Sequence, residues 1–263
     1  MGKSALDQDR VDRRRRGVLL AGALALAPLG RASAADADFT AAPDAAPDVV
    51  VYCDQTLQPA LRAAGERFTA RTGAPIRLFS TSPRGMVAQI AHISQTDVLV
   101  TQAPVLDQSA SLLKPGTRAG AWRNSLVLAA RAGEVPTGDL PGMLGDGRIA
   151  VTDSIGGAPF DGYAVLRQLG VLDAVSGRTI GMPDTAQAAF LLTSGVARLA
   201  LLYVTDARAN PRLAIAAPVA VPVPPYAAAV VTIARSPNAA VFVAFLQTPE
   251  ATAALRDAGL EAA

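Results

Sequence analysis

The segment Asp48-Val-Val-Val-Tyr-Cys-Asp-Gln-Thr-Leu57 decides how this chain folds. Its apolar run, 48–53, is typical of a short strand buried in a parallel sheet. Thr56 then begins a helix whose apolar residues recur at helical spacing, and Gly73 ends that helix. The segment therefore predicts a strand followed by a helix, which is the repeating unit of α/β domains.

The same alternation continues along the chain. Further strands are predicted at 75–79, 96–101, 124–130, 147–152, 198–204 and 227–233. Further helices are predicted after Ser82 as N-cap, at 158–170, at 184–195 with Asp184 as N-cap, and at 238–245. Alternating prolines at 218–225 favour an extended crossover between two lobes over a central strand. Strands and helices recurring at about 20 to 25 residues predict a doubly wound α/β fold.

Residues 1–34 have the layout of a secretory signal peptide. Consecutive arginines at 13–16 precede an apolar run at 17–29, and Ala32-Ser-Ala34 offers a cleavage site of small residues. The apolar run is short for a membrane span, so we expect cleavage after Ala34, no stable span afterwards, and a periplasmic protein. An uncleaved anchor is the alternative. The arginines also fit the twin-arginine export route. Residues 35–47 are predicted to be a disordered lead-in.

The leader carries much of the positive charge. It holds seven of the 24 basic residues and three of the 22 acidic residues, which leaves a formal net charge of −2 on the remaining chain. This balance gives no support for nucleic-acid binding. The single cysteine, Cys53, excludes an internal disulfide and is predicted to be buried. No spacing of Cys and His typical of a metal site occurs, and no cofactor is expected.

Four predicted helices begin with small or hydroxyl-bearing residues, namely Thr56, Ser82, Ala158 and Thr185. The first turn of a helix presents N–H groups without an internal acceptor and a partial positive charge, which together favour anions. In open α/β sheets such helix starts gather at the carboxyl ends of the strands, where ligands bind. Four helix starts that face one another across two lobes would enclose an anion without a salt bridge.

Seven segments carry a recognisable pattern, namely 50–61, 79–90, 97–100, 120–128, 147–153, 166–170 and 199–206. In these segments the chain resembles the periplasmic molybdate-binding proteins of ABC importers, and the resemblance extends over nearly all of residues 48–263. It implies a two-lobed periplasmic binding protein fold of type II, in which two crossovers form a hinge. The implied first lobe comprises 48–123 and 226–263, and the implied second lobe comprises 124–225. A monomer that delivers its ligand to an ABC transporter permease is expected.

The resemblance also implies the binding site. In that family an oxyanion is held by two hydroxyl side chains, two backbone amides of the second lobe and a tyrosine hydroxyl. The hydroxyl positions fall on Thr56 and Ser82, with Ser80 as the alternative to Ser82. The amide positions fall on Ala158 and Thr185, and the tyrosine falls on Tyr203. Molybdate is the expected ligand, with tungstate as a related possibility.

The chain departs from the family pattern beside two of these positions. Asp54 and Gln55 precede Thr56 where the family has small residues, and Pro83 and Arg84 follow Ser82. A carboxylate close to a bound dianion lowers affinity unless it is paired, and Arg84 is the candidate partner of Asp54. These residues are expected to modulate the site, and they leave a different small ligand or a sensory role as the alternative function.

Enzymatic activity is the third alternative. His92 is the single histidine, so a serine hydrolase would have to pair it with a nearby serine or threonine. The sequence has no Gly-x-Ser-x-Gly motif around a nucleophile. We therefore expect a binding protein and not an enzyme.

Overall fold

A computed structural model describes residues 47–81, 86, 95–153 and 160–263. Ser82, Pro83, Arg84, His92 and Ala158 lie outside the described residues, as does the predicted leader. The predictions made for these positions therefore stay predictions.

The described strands fall into two sheets. In chain order they are β1 (Val49–Asp54), β2 (Ile76–Thr81), β3 (Val98–Gln102), β4 (Ala119–Asn124), β5 (Leu126–Arg131), β6 (Ile149–Thr152), β7 (Thr179–Met182), β8 (Leu199–Tyr203), β9 (Leu213–Val219), β10 (Tyr226–Val230) and β11 (Leu260–Ala262). The first sheet has the order β11-β4-β10-β3-β1-β2, and the second has the order β7-β6-β8-β5-β9. In each sheet three strands run parallel, β1 to β3 or β6 to β8, and antiparallel pairings extend that centre.

Helices connect and cover these strands. The described α-helices are α1 (Gln58–Thr72), α2 (Ala103–Gln108), α3 (Leu140–Leu144), α4 (Gly162–Gln168), α5 (Leu172–Val175), α6 (Thr185–Thr193), α7 (Val204–Ala209), α8 (Ala239–Phe245) and α9 (Pro249–Asp257). Short 3₁₀ turns occupy Gln55–Leu57, Ala110–Leu112 and Ser176–Arg178. Gly73 ends α1 with a φ of 74°, a left-handed conformation that glycine adopts without strain.

The core of the first sheet shows why these residues form these elements. The strand predicted at 48–53 is β1, whose residues are almost all buried. The buried face of α1 includes Phe68, which meets Phe242 and Phe245 of α8 edge to face at 5.1 and 5.3 Å. Burial of large apolar side chains on both elements stabilises the helix against the sheet.

The chain passes between the sheets twice. The first passage is at Ser125, between β4 and β5, and the second is the segment 220–225 between β9 and β10. The strands of the first sheet come from 49–124 and 226–262, and those of the second from 126–219. We propose on this basis the division into lobes 48–123 plus 226–263 and 124–225.

Four expectations differ from the structure. The helix predicted from Thr56 begins at Gln58, because Thr56 lies in the 3₁₀ turn Gln55–Leu57, which Asp54 caps. The predicted strand 124–130 begins after Ser125, because Asn124 ends a strand of the other sheet. Pro218 belongs to β9 and pairs with Val127, and not to the crossover. Among the described strands, β9 pairs with β5 alone and lies at the edge of its sheet, where proline is tolerated. The helix predicted from Ala158 begins at Gly162, because the Asp161 side chain accepts from the N–H groups of Tyr163 and Ala164.

Candidate functional site

Strand ends from both sheets meet in one polar cluster. Asp54 ends β1, Gln102 ends β3, Asn124 ends β4 and Tyr203 ends β8, while Tyr226 begins the antiparallel β10. The carboxyl ends of strands are where α/β proteins bind ligands. We call the following residues the inter-sheet cluster: Asp54, Thr56, Gln102, Asn124, Thr185, Tyr203, Thr205, Asp206 and Tyr226. All of them except Asp206 are buried as whole residues.

Asn124 links the two sheets within the cluster. Its Nδ2 donates to Thr56 Oγ1 at 3.4 Å and to Thr205 Oγ1 at 2.8 Å. Thr56 follows the first strand of one sheet, and Thr205 lies in α7 directly after β8 of the other. Because Thr56 Oγ1 accepts this bond, the hydroxyl hydrogen of Thr56 is left to donate to a further group.

Tyr203 is held in the same way from the first sheet. Gln102 Nε2 donates to the Tyr203 hydroxyl at 3.4 Å, across the boundary between the sheets. The Tyr203 ring meets Phe160 edge to face at 5.1 Å and Tyr226 at 6.2 Å. Burial and the nearby carboxylates raise the pKa of Tyr203, so its hydroxyl stays protonated and can donate. Tyr203 and Thr56 therefore bring two hydroxyl donors from different sheets to one cluster.

Thr185 begins α6 beside these hydroxyls. The Asp184 side chain accepts from the N–H of Gln187 at 2.8 Å and caps the helix, as the sequence predicts. The Thr185 hydroxyl lies beside Asp206 and lowers the pKa of that carboxyl, and the Asp206 carboxylate accepts from the N–H of Tyr203 at 3.3 Å. Burial raises the pKa of Asp206 to about 7, against the lowering effect of these two donors. Asp206 thus positions the start of α6 against the end of β8.

Asp54 is the acidic member on the first sheet. It is 1% exposed, and its Oδ1 accepts from the N–H of Thr56 at 3.4 Å. Its Oδ2 has no hydrogen-bond partner among the described residues, and neither has the hydroxyl of Tyr226. The pKa of Asp54 is raised to about 7, mainly by burial; the N–H of Thr56 and the hydroxyl of Tyr226 act to lower it, and nearby Asp206 acts to raise it. Within the described residues, no ion pair compensates this carboxylate.

The structure thus brings together three predicted site residues, Thr56, Thr185 and Tyr203, and the predicted modulator Asp54. The roles assigned to Ser82, Arg84 and Ala158 lie outside the described residues. Sequence reasoning did not find Asn124, Gln102 or Tyr226. Their signal was weak, since each is only a polar residue at the end of a strand or beside a crossover.

Other chemistry receives no support from the residues that the structure describes. Among them, no three His, Cys, Asp or Glu side chains are grouped so that they could hold a metal ion. Burial raises the pKa of the Cys53 thiol, which keeps it protonated and unreactive. Over the same residues, no helix is both long and apolar enough to cross a membrane.

Similar proteins share this arrangement of sheets. The Azotobacter vinelandii periplasmic molybdate-binding protein matches with a TM-score of 0.66 and 23% identity over 82% of this chain and 100% of its own. A substrate-binding domain assigned to a molybdenum ABC transporter of Clostridium difficile matches with a TM-score of 0.66 and 19% identity, over 83% of this chain and 100% of its own. The sulfate-binding protein SubI from Mycobacterium tuberculosis matches with a TM-score of 0.63 and 16% identity, over 82% of this chain and 87% of its own. No curated protein sequence matches the chain.

These likenesses confirm the predicted type II periplasmic binding protein fold. A sequence profile of bacterial extracellular solute-binding proteins matches residues 49–261, which includes all the described strands except the last residue of β11. The chain therefore belongs to the family of bacterial extracellular solute-binding proteins.

Proposed function

We propose that this protein captures a small tetrahedral oxyanion in the inter-sheet cluster. The observation that carries the proposal is the pair of buried hydroxyls of Thr56 and Tyr203. Each comes from a different sheet and accepts a hydrogen bond from a side-chain amide, which leaves its own hydrogen to donate. The start of α6 at Thr185 adds the N–H groups of a helix first turn.

Such a set of donors suits the burial of an anion. A buried charge must be met by several converging hydrogen bonds, because removing it from water otherwise costs many kcal/mol. Hydroxyl and N–H donors meet that charge without a fixed cation. Molybdate and tungstate are the ligands suggested by the resemblance, and a periplasmic molybdate-binding protein is among the proteins of similar fold.

The proposal includes delivery of the anion to an ABC transporter permease. A similar fold occurs in a domain assigned to a molybdenum ABC transporter, and the family is one of extracellular solute-binding proteins. We propose export to the periplasm through the leader, a monomer after cleavage, and no catalytic activity. A sensory role with the same site is the second candidate.

A thermal-shift series with molybdate, tungstate, sulfate and phosphate tests the site. A ligand present at a hundred times its Kd stabilises the folded protein by about 2.7 kcal/mol, which gives a measurable rise in Tm. We expect at least one of the four anions to produce such a rise. If none does at millimolar concentration, the oxyanion proposal fails.

A further inference from the structure

Asp54 lies in the inter-sheet cluster and makes only one weak hydrogen bond to the backbone. Its Oδ1 caps the 3₁₀ turn weakly, through the 3.4 Å bond from the N–H of Thr56. Its Oδ2 is buried and accepts no hydrogen bond of normal length and angle from the described residues, although the hydroxyl of Tyr226 lies close enough to lower the pKa of the carboxylate. A buried acceptor without a well-placed donor costs free energy, and a ligand that brings an O–H group to Oδ2 would remove that cost.

A second buried aspartate of the first sheet shows the contrast. Asp97 is also buried, and its two carboxylate oxygens accept from the N–H groups of Val50, Arg235 and Ser236 at 2.7 to 2.9 Å. It ties the amino end of β1 to the segment after β10 and needs no further donor. Asp54, at the opposite end of the same strand, lacks such a set.

The neighbours of Asp54 are donors and acids. From its own half, Asp54 faces the N–H of Thr56 in the following turn and the hydroxyl of Tyr226, which in turn lies beside the hydroxyl of Thr56. Cys53 precedes it in the chain. From the second sheet, Asp206 and the hydroxyl of Tyr203 face it. A fully deprotonated dianion held by the hydroxyls would therefore lie beside a carboxylate. An anion with one O–H group would instead donate that hydrogen to Oδ2 and keep its other oxygens for the hydroxyls.

We propose that Asp54 contacts the ligand as a hydrogen-bond acceptor, so that the site selects an oxyanion that still carries a proton, such as hydrogen phosphate or hydrogen arsenate. Molybdate, tungstate and sulfate are fully deprotonated near neutral pH and bind more weakly. This inference rests on the proposed oxyanion site and replaces molybdate as its preferred ligand.

Calorimetric titration of the full mature protein at pH 8 with phosphate, arsenate, sulfate and molybdate tests the inference. We expect phosphate and arsenate to bind at least about tenfold more tightly than sulfate and molybdate. In Asp54→Asn, which removes the charge, we expect the ratio of the phosphate Kd to the sulfate Kd to rise at least about tenfold. The control Asp97→Asn removes a buried carboxylate outside the cluster, and we expect its ratio to equal that of the wild type.

A second measurement uses the wild-type protein, so that the inference can be tested even if Asp54→Asn does not fold. Titration in buffers with different heats of ionisation reports the protons taken up on binding. At pH 8 we expect almost no proton uptake when phosphate binds, because phosphate brings its own proton. We expect a clear uptake for sulfate or molybdate, because Asp54 must be protonated to accommodate them.

The outcomes separate the two proposals. If molybdate or sulfate binds at least as tightly as phosphate without proton uptake, and Asp54→Asn leaves the ratio unchanged, the role of Asp54 is wrong while the oxyanion site stands. If none of the four anions binds, the oxyanion site itself is wrong.

Discussion

Two hydroxyls define the candidate site at the scale of single residues. Thr56 and Tyr203 are 1% and 0% exposed, and each accepts from an amide of Asn124 or Gln102. A hydroxyl that already accepts one hydrogen bond has fewer directions left for its own hydrogen. The cluster is therefore partly oriented before any ligand arrives, which lowers the entropy cost of binding.

Removal of the Tyr203 hydroxyl should weaken anion binding. For Tyr203→Phe we expect a loss of about 1.5 to 3 kcal/mol, which corresponds to roughly tenfold or more in Kd, because the anion loses one charge-assisted hydrogen bond. Titration calorimetry with the anion that binds best measures this change. Tyr52→Phe is the matched control, since Tyr52 stacks on Phe79 outside the cluster. Equal affinity in the two variants would show that Tyr203 does not contact the ligand.

The buried acids predict how stability depends on pH. The pKa of Asp54 is raised to about 7, so the folded state holds this proton more tightly than the unfolded chain, whose pKa is near 4. The free energy of unfolding should therefore fall as pH rises from about 4 to about 7, and Asp206 should contribute in the same direction.

Asp54→Asn isolates this contribution. Without ligand, the variant should be more stable than the wild type by about 2 to 4 kcal/mol at pH 8, and the difference should vanish near pH 4. Urea unfolding at both pH values measures it. A wild type that gains stability from pH 4 to pH 8, with no benefit from the substitution, would contradict the assignment.

At the scale of elements, the sequence was most reliable where local physics acts alone. The run at 48–53 and the helix that ends at Gly73 correspond to β1 and α1. A buried strand and a helix that ends at a left-handed glycine can both be predicted from residues that are neighbours in the sequence. The sequence did not reveal β9, because Pro218 favours irregular structure and only an edge position of the sheet accommodates it.

One close approach between elements gives a test of packing. A Cβ atom added to Gly162, the first residue of α4, would lie 2.5 Å from Cβ of Val151 and 2.9 Å from O of Thr152 in β6. Gly162→Ala should therefore destabilise the protein by about 1 to 3 kcal/mol, since α4 must move away from the strand.

Gly177 supplies the control for this substitution. A Cβ atom there would have no neighbour within 4 Å, and its φ is not positive. Gly177→Ala should leave the free energy of unfolding within about 0.5 kcal/mol of the wild type, and so leave the Tm nearly unchanged. Equal Tm values for the two variants in differential scanning calorimetry would refute the packing of α4 on β6.

At the scale of the whole molecule, the two sheets are held against each other by contacts outside the cluster. Helix α1 contacts α7. Arg208 of α7 donates to the backbone oxygens of Arg256 and Asp257 at 3.1 and 3.3 Å. These carbonyls end α9, where a cation also interacts favourably with the helix dipole. Arg208 therefore ties α7, which follows the second sheet's β8, to α9 of the other half.

Loss of this contact should favour an open arrangement. For Arg208→Ala we expect anion affinity to fall by about twofold to fivefold, as about 0.5 to 1 kcal/mol is lost for an exposed charged contact. Titration calorimetry measures the affinity, and small-angle scattering measures the radius of gyration without ligand.

Arg212→Ala is the control for Arg208→Ala. Arg212 donates to the backbone oxygen of Thr193, which lies in the same half of the molecule. Its substitution should change neither the affinity nor the radius of gyration. If Arg208→Ala behaves in the same way, the contact with α9 does not stabilise closure.

The sequence by itself determined the α/β alternation, the helix start at Thr185, and the family resemblance. These features depend on the periodicity and capping chemistry of neighbouring residues. The sequence also showed that Asp54 departs from the family pattern. It did not show which groups surround that carboxylate.

Only the tertiary structure decided which side chains meet. Asn124 reaches Thr56 and Thr205, which are 68 and 81 residues away along the chain, and Gln102 reaches Tyr203 from 101 residues away. Such contacts depend on the pairing of strands and on the two passages between the sheets, which leave no periodic signal in the sequence. For the same reason, only the folded chain shows that Asp54 is buried among hydroxyls.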